Sequence, residues 1–206
     1  MTSTTNTAPP AAAREGNRAA WLVTDGMEPR NVIVAVSLGI GFAQHNPLTG
    51  FLWALEAILF AAVLPMTFIK YGMRKGMWAD RHIGQRQRRM ILIPVIMALV
   101  ATGIGGMLWF DAPTAMVALV VAMLATLVVL LPVTAFWKIS VHTAVAGGAL
   151  AMLALTWGPH VWLGYPLVAV IAWSRISLGD HTLAQTIAGA AAGTVTSGLV
   201  FAVLTT

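Results

Sequence analysis

The sequence predicts an all-α fold, a polytopic membrane bundle of six or seven transmembrane helices, on three observations. First, 58% of the 206 residues are hydrophobic and only 9% are charged, where a soluble domain carries about 25% charged residues; the mean hydropathy is +0.81. Second, the apolar residues come in continuous runs near spanning length, and such runs satisfy their backbone groups in lipid as helices. Third, the twelve Lys and Arg fall almost entirely in connectors that alternating spans place on one side. This composition excludes an ordinary soluble domain. The formal charge of +5 then reports orientation in a bilayer rather than nucleic-acid binding. With no cysteine, a disulfide, a thiolate nucleophile and a Cys-ligated metal are also excluded.

Residues 1–30, rich in Thr, Ala, Pro and Asn, read as a disordered tail ahead of a single transmembrane domain over 31–206. Candidate spans are 31–46, 48–69, 90–110, 113–136, 140–157, 161–175 and 182–204. The first and sixth are short against the ideal of about 20 residues, hence six or seven. Trp78, Trp109, Trp137, Trp157, Trp162 and Trp173 fall near run ends, where interfacial aromatics collect. The tail holds three basic residues and the connector Lys70 to Arg89 holds seven. Lys138 and Arg175 are the other two, on the same side, and the opposite connectors have none. The positive-inside rule makes that side cytoplasmic. Gly189 and Gly193, with Ala190 to Ala192 between them, form a small-residue face for close helix packing.

Three polar islands interrupt the apolar chain, and on seven spans all three emerge on that same face. The first runs from Trp78 to Arg89 and includes Arg81, His82, Arg86, Arg88 and Arg89. The second, Lys138-Ile139-Ser140-Val141-His142-Thr143, opens a helix. The third runs from Ser174 and Arg175 through Asp180 and His181 to Gln185, leading into the last helix. Each of His142 and His181 stands at a helix start with a cation a few residues before it. Arginine binds planar oxyanions bidentately and helix starts favour anions, so the islands make a phosphate site. Gln185 lies four residues beyond His181 on the same helical face. Its carbonyl oxygen can take one imidazole N–H and leave the other nitrogen to attack. Two histidines acting as nucleophile and acid need no metal.

These residues resemble the type 2 phosphatidic acid phosphatase (PAP2) superfamily, whose motifs are KxxxxxxRP, PSGH and SRxxxxxHxxxD. Ser174, Arg175 and His181 match the third, with Gln185 in the place of Asp. Ser140 and His142 keep Ser and His of the second, with Val141 in the place of Gly. Arg81 with Arg88, or Arg81 with Arg89, stands for the first. The resemblance covers about residues 70–204 and implies a PAP2-like helical core working through a phosphohistidine, without cofactor or metal. It implies His181 as nucleophile, His142 as general acid, and Arg81, Arg88 or Arg89, Lys138, Ser140 and Arg175 as the phosphate cage. The expected function is hydrolysis of a lipid phosphate or prenyl (di)phosphate, with the lipid and the bilayer as partners and a homo-oligomer left open. The altered motifs, Gln185 above all, leave a prenyl-diphosphate lyase or terpene cyclase on the same scaffold as an alternative. A non-catalytic transporter or lipid-binding protein is the third reading; Glu56, the one acidic residue inside a predicted span, is what favours it.

Overall fold

A computed structural model describes residues 17–77 and 86–206, with only the backbone described over 86–91. It is all-helical, with no strand among the described residues. In chain order the helices are α1 (Arg18–Gly26), α2 (Pro29–Phe42), α3 (Pro47–Arg74), α4 (Arg86–Trp109), α5 (Thr114–Phe136), α6 (Val141–Trp157), α7 (Tyr165–Ser177) and α8 (Leu183–Thr205). A 3₁₀ segment, Pro159–Gly164, leads into α7.

Local chemistry sets these boundaries. Asn46 accepts from the N–H groups of Leu48 and Thr49 while Pro47 takes the first helical position, starting α3, as short polar N-caps and N1 prolines do. Pro113 precedes α5. Ser140 caps α6, and Thr182 forms a reciprocal capping box with Gln185 at the start of α8. Within α3, residues Leu59–Val63 make a π turn. Pro65 is the cause: it has no N–H to give to Ala61, and its ring crowds that carbonyl.

Among the described residues, four helices are long and apolar enough to cross a membrane: α3, α4 from Leu92, α5 and α8. The chain is therefore built as an integral membrane protein. Helices α2 and α6 are apolar but have 14 and 17 residues, and α7 has 13. At about 1.5 Å per residue these are shorter than the roughly 30 Å hydrocarbon layer. Large apolar side chains cover the outside, among them Leu52, Leu55, Val128, Leu167, Ile187, Leu199 and Val203. Trp109, Trp157 and Trp162, at helix ends, are exposed, as expected of interfacial aromatics; Trp78 lies outside the described residues.

The expectation of a disordered tail over 1–30 needs correction from residue 17 onward; residues 1–16 lie outside the described residues. Asn17 caps α1, which docks on α7 and buries Ala20 and Thr24 completely or nearly so. Met27 packs with Ala146, Val168 and Ile171. The five apolar residues from Ala19 to Val23 are far too few for a span, so the segment read as tail; its apolar face is used against α7 instead.

The most extensive helix packing is α6 against α8, and α8 also packs closely on α5. Gly189 explains the first. A Cβ there would meet the Ser140 carbonyl oxygen and Thr143 Oγ1, and one on Gly193 would meet the Ala144 carbonyl. The backbones of α6 and α8 therefore approach at the small-residue face the sequence indicated.

Candidate active site

That close approach delivers the second and third polar islands to each other. Ser140 N–H donates to the Gln185 carbonyl at 3.3 Å, and the Thr143 hydroxyl donates to the Thr186 carbonyl at 2.9 Å. The start of α6 is thus hydrogen-bonded to the start of α8, and His142 and His181 are buried on either side of the junction, 9% and 7% exposed.

The turn between α7 and α8 fixes Arg175 relative to His181. Gly179, at φ +69°, ends α7 in the left-handed conformation that a glycine adopts without strain. The chain then folds back so that the Arg175 carbonyl accepts from both Asp180 N–H (3.0 Å) and His181 N–H (3.2 Å). The Arg175 side chain, 4% exposed, pairs through Nη2 with Asp180 Oδ2 at 2.9 Å. Its neighbour Ser174 is fully buried and donates to the Ile171 carbonyl at 2.8 Å. That leaves Thr24 of α1 to donate to Ser174 Oγ at 3.0 Å.

His181 Nδ1 lies 3.2 Å from two oxygens, the Lys138 carbonyl and Gln185 Oε1. The Gln185 amide is oriented by Thr182, whose backbone N–H donates to the same Oε1 at 3.1 Å, so oxygen and not nitrogen faces the imidazole. Two acceptors require the proton on Nδ1, and this assignment follows from the network. Nε2 then carries the lone pair. Gln185 thus closes the first turn of α8 and, with the Lys138 carbonyl, sets the tautomer of His181.

His142, Arg175 and His181 line one end of a cavity of about 240 Å³, where a single water needs about 10–15 Å³. Beyond them the wall is mostly apolar. It includes Val36 of α2, Met66 and Ile69 of α3, Ile96 and Val100 of α4, Met123 and Leu127 of α5, and Val145, Ala149 and Met152 of α6. From His142 to Met152 the bore follows ten residues of helix, about 15 Å at the helical rise. Thr126 and Ser197, hydrogen-bonded to each other at 2.8 Å, also line it. The void is an amphipathic slot: ionisable at one end, hydrocarbon-like along the rest.

Not every expected residue reaches it. Ser140 is fully buried as the N-cap of α6, accepting from Thr143 N–H, and is not among the cavity-lining residues. Lys138 contributes its carbonyl to His181, and Gln185 acts from behind the imidazole; neither lines the void. Arg81 lies outside the described residues. Arg88 and Arg89 fall in the first turn of α4, and their side chains are among those not described. Glu28 and Arg30, assigned to the tail by sequence, do line the cavity. The signal that could have found them is Glu28-Pro29-Arg30 immediately before an apolar run, since Pro at the first position of a helix marks a start.

Among the described residues, no group of three or more His, Asp or Glu is placed to hold a metal. Compared with protein-family models, curated proteins and solved structures, the chain matches none.

Proposed function

We propose that the chain is a membrane-embedded phosphatase that hydrolyses a lipid or prenyl phosphate through a phosphohistidine, as its resemblance to the PAP2 superfamily implies. The observation that carries this reading is the oriented His181, with its Nδ1 proton committed to two carbonyl oxygens, beside His142 and Arg175 at the polar end of an apolar bore.

In the proposed reaction the lone pair of His181 Nε2 attacks phosphorus. The bond from phosphorus to the ester (or bridging) oxygen breaks, and His142 as imidazolium gives its proton to that oxygen. A water then attacks the phosphohistidine, returns a proton to His142, and releases phosphate and free Nε2. Positioned cations stabilise the equatorial oxygens, the main source of rate in phosphoryl transfer. The described part of the site supplies little net charge for this, because Arg175 is paired with Asp180 and Arg30 with Glu28. The cage therefore depends on Arg81 and on Arg88 or Arg89, which belong to the connector before α4 and its first turn. The bundle would present this end to the cytoplasm, with α2, α6 and α7 crossing as shorter spans.

Hydrolysis is favoured over cyclisation by the wall of the bore. None of the described cavity-lining residues is Phe, Tyr or Trp, and a carbocation held in a dry cavity is stabilised chiefly by aromatic faces.

Phosphate release from a panel of lipid phosphates, measured with EDTA present, tests the reading. Wild type is expected to turn over, and His181→Ala to lose a factor of about 10³ or more. An alanine variant as active as wild type would remove His181 from the mechanism. A cyclic hydrocarbon and diphosphate, formed from geranylgeranyl diphosphate, would replace the phosphatase by the cyclase.

A further inference from the structure

The head-group end of the cavity is lined from outside the three polar islands as well as from within them. Glu28, Pro29 and Arg30 line it together with His142, Arg175 and His181. Glu28 is 3% exposed, and its Oε2 forms an ion pair with Arg30 Nε at 2.8 Å without hydrogen-bond alignment. The Arg30 side chain is itself 33% exposed. The ion pair is made at Nε, and the outer fork, the two Nη groups, is not part of it. That fork is the planar donor pair that matches phosphate oxygens. Helix formation does not explain Arg30, because a cation in the first turn of a helix opposes the helix dipole. Glu28 offsets that opposition. The corner is also tied to the rest of the site: the Thr24–Ser174 hydrogen bond at 3.0 Å fastens α1 to the residue beside Arg175.

We propose that Arg30, aimed by the buried Glu28, binds the anionic head group of the ligand in this cavity, so that the α1–α2 corner completes the phosphate cage from outside the motif islands. This rests on the phosphatase reading above. Because both ground state and transition state carry phosphate charge, Arg30 acts mainly on KM, whereas His181 acts on kcat.

A long-chain alkyl phosphonate, whose P–C bond is not hydrolysed, is the probe, titrated into full-length protein in neutral detergent free of lipid phosphate. The alcohol of equal chain length serves as the uncharged reference. Wild type is expected to prefer the phosphonate, and Arg30→Gln to weaken it by about tenfold or more while binding the alcohol unchanged. Arg30→Lys, which keeps the charge against Glu28 and loses the fork, is expected to weaken the phosphonate several-fold, and it serves if the glutamine variant does not fold. Glu28→Gln is expected to fall between. Equal phosphonate affinity in wild type and both Arg30 variants overturns the inference and leaves the phosphatase reading standing. Wild type that does not distinguish phosphonate from alcohol overturns both. A deficit that appears only after anionic lipid is added back assigns Arg30 to the bilayer surface and overturns the inference alone.

Discussion

Two helix pairs of the bundle, α6–α8 and α3–α4, meet in different ways. Between α6 and α8 the contact is backbone on backbone: Gly189 and Gly193 lie against main-chain carbonyls of Ser140 and Ala144, and Gly147 against that of Ala190. Across α3 and α4 the close glycine contact is Gly103 on the Phe60 side chain, and Gly105 faces open space. The π turn at Leu59–Val63 places Ala61 and Ala62 on the bore, which α3 and α4 wall with aliphatic side chains. The difference divides the labour. Backbone contact cannot yield by a rotamer change, so α6 and α8 hold the ionisable groups in fixed register. Side-chain contact leaves room, so the opposite wall encloses the void.

The largest expected effect breaks the rigid pair. Gly193→Val puts side-chain atoms where the Ala144 carbonyl stands, and the cost should exceed about 4 kcal/mol, the range reached by overpacking and strained backbone combined. Loss of the monodisperse peak on detergent gel filtration would show it; a folded, active variant would mean that the α6–α8 contact is not the frame. Next comes the register itself. Gln185→Ala removes the side-chain acceptor for Thr182 N–H and one of the two acceptors for His181 Nδ1–H, leaving the Lys138 carbonyl. It should lower activity by about tenfold while costing about 1 kcal/mol of thermal stability through the lost cap. Gln185→Glu keeps both acceptors, adds the charge that stabilises an imidazolium, and should be at least as active as wild type. If alanine and glutamate variants behave alike in activity, tautomer control is not what Gln185 supplies.

The opposite wall should respond through substrate choice instead. Val100→Phe fills the bore from α4 and is expected to depress turnover of long-chain phosphates about tenfold, with a short-chain phosphate little changed, because it blocks only the tail. A uniform loss across chain lengths would mean that substrate does not enter the bore. The smallest effect is expected at Gly105→Ala. With nothing near its Cβ, the gain in helix propensity should leave stability unchanged or raise it by up to about 1 kcal/mol in a thermal melt. A Gln85→Cys label checks the orientation of both pairs at once: reaction from the cytoplasmic face alone is expected, since the chain has no native cysteine to obscure it.

Much of the site was legible because its signals are local. The sequence placed Gln185 within reach of His181, and the two are hydrogen-bonded. The bond forms through the Thr182–Gln185 capping box rather than a shared helical face, because α8 begins at Leu183 and His181 lies before it. Ser140 read as a helix start and caps α6, but whether its hydroxyl faced ligand or backbone depended on Gly189 bringing α8 against it. Arg30 was illegible for the opposite reason. Its neighbours in sequence are tail-like, and its place at the cavity comes from Ala20 and Thr24 docking on α7, some 150 residues later in the chain.

The sequence by itself determined the solvent and the apolar helices after α1, because a backbone in lipid has few ways to satisfy its hydrogen bonds and the apolar runs leave no other. It also determined which faces could approach, since only glycine permits main-chain contact. Tertiary structure alone decided which polar groups share the cavity: Arg175 pairs with Asp180, Glu28 takes Arg30, and Ser140 turns inward. Those choices depend on a few ångströms of distance between segments remote in the chain, and charge or hydroxyl chemistry reads the same in sequence whether it points at a ligand or at a neighbouring helix.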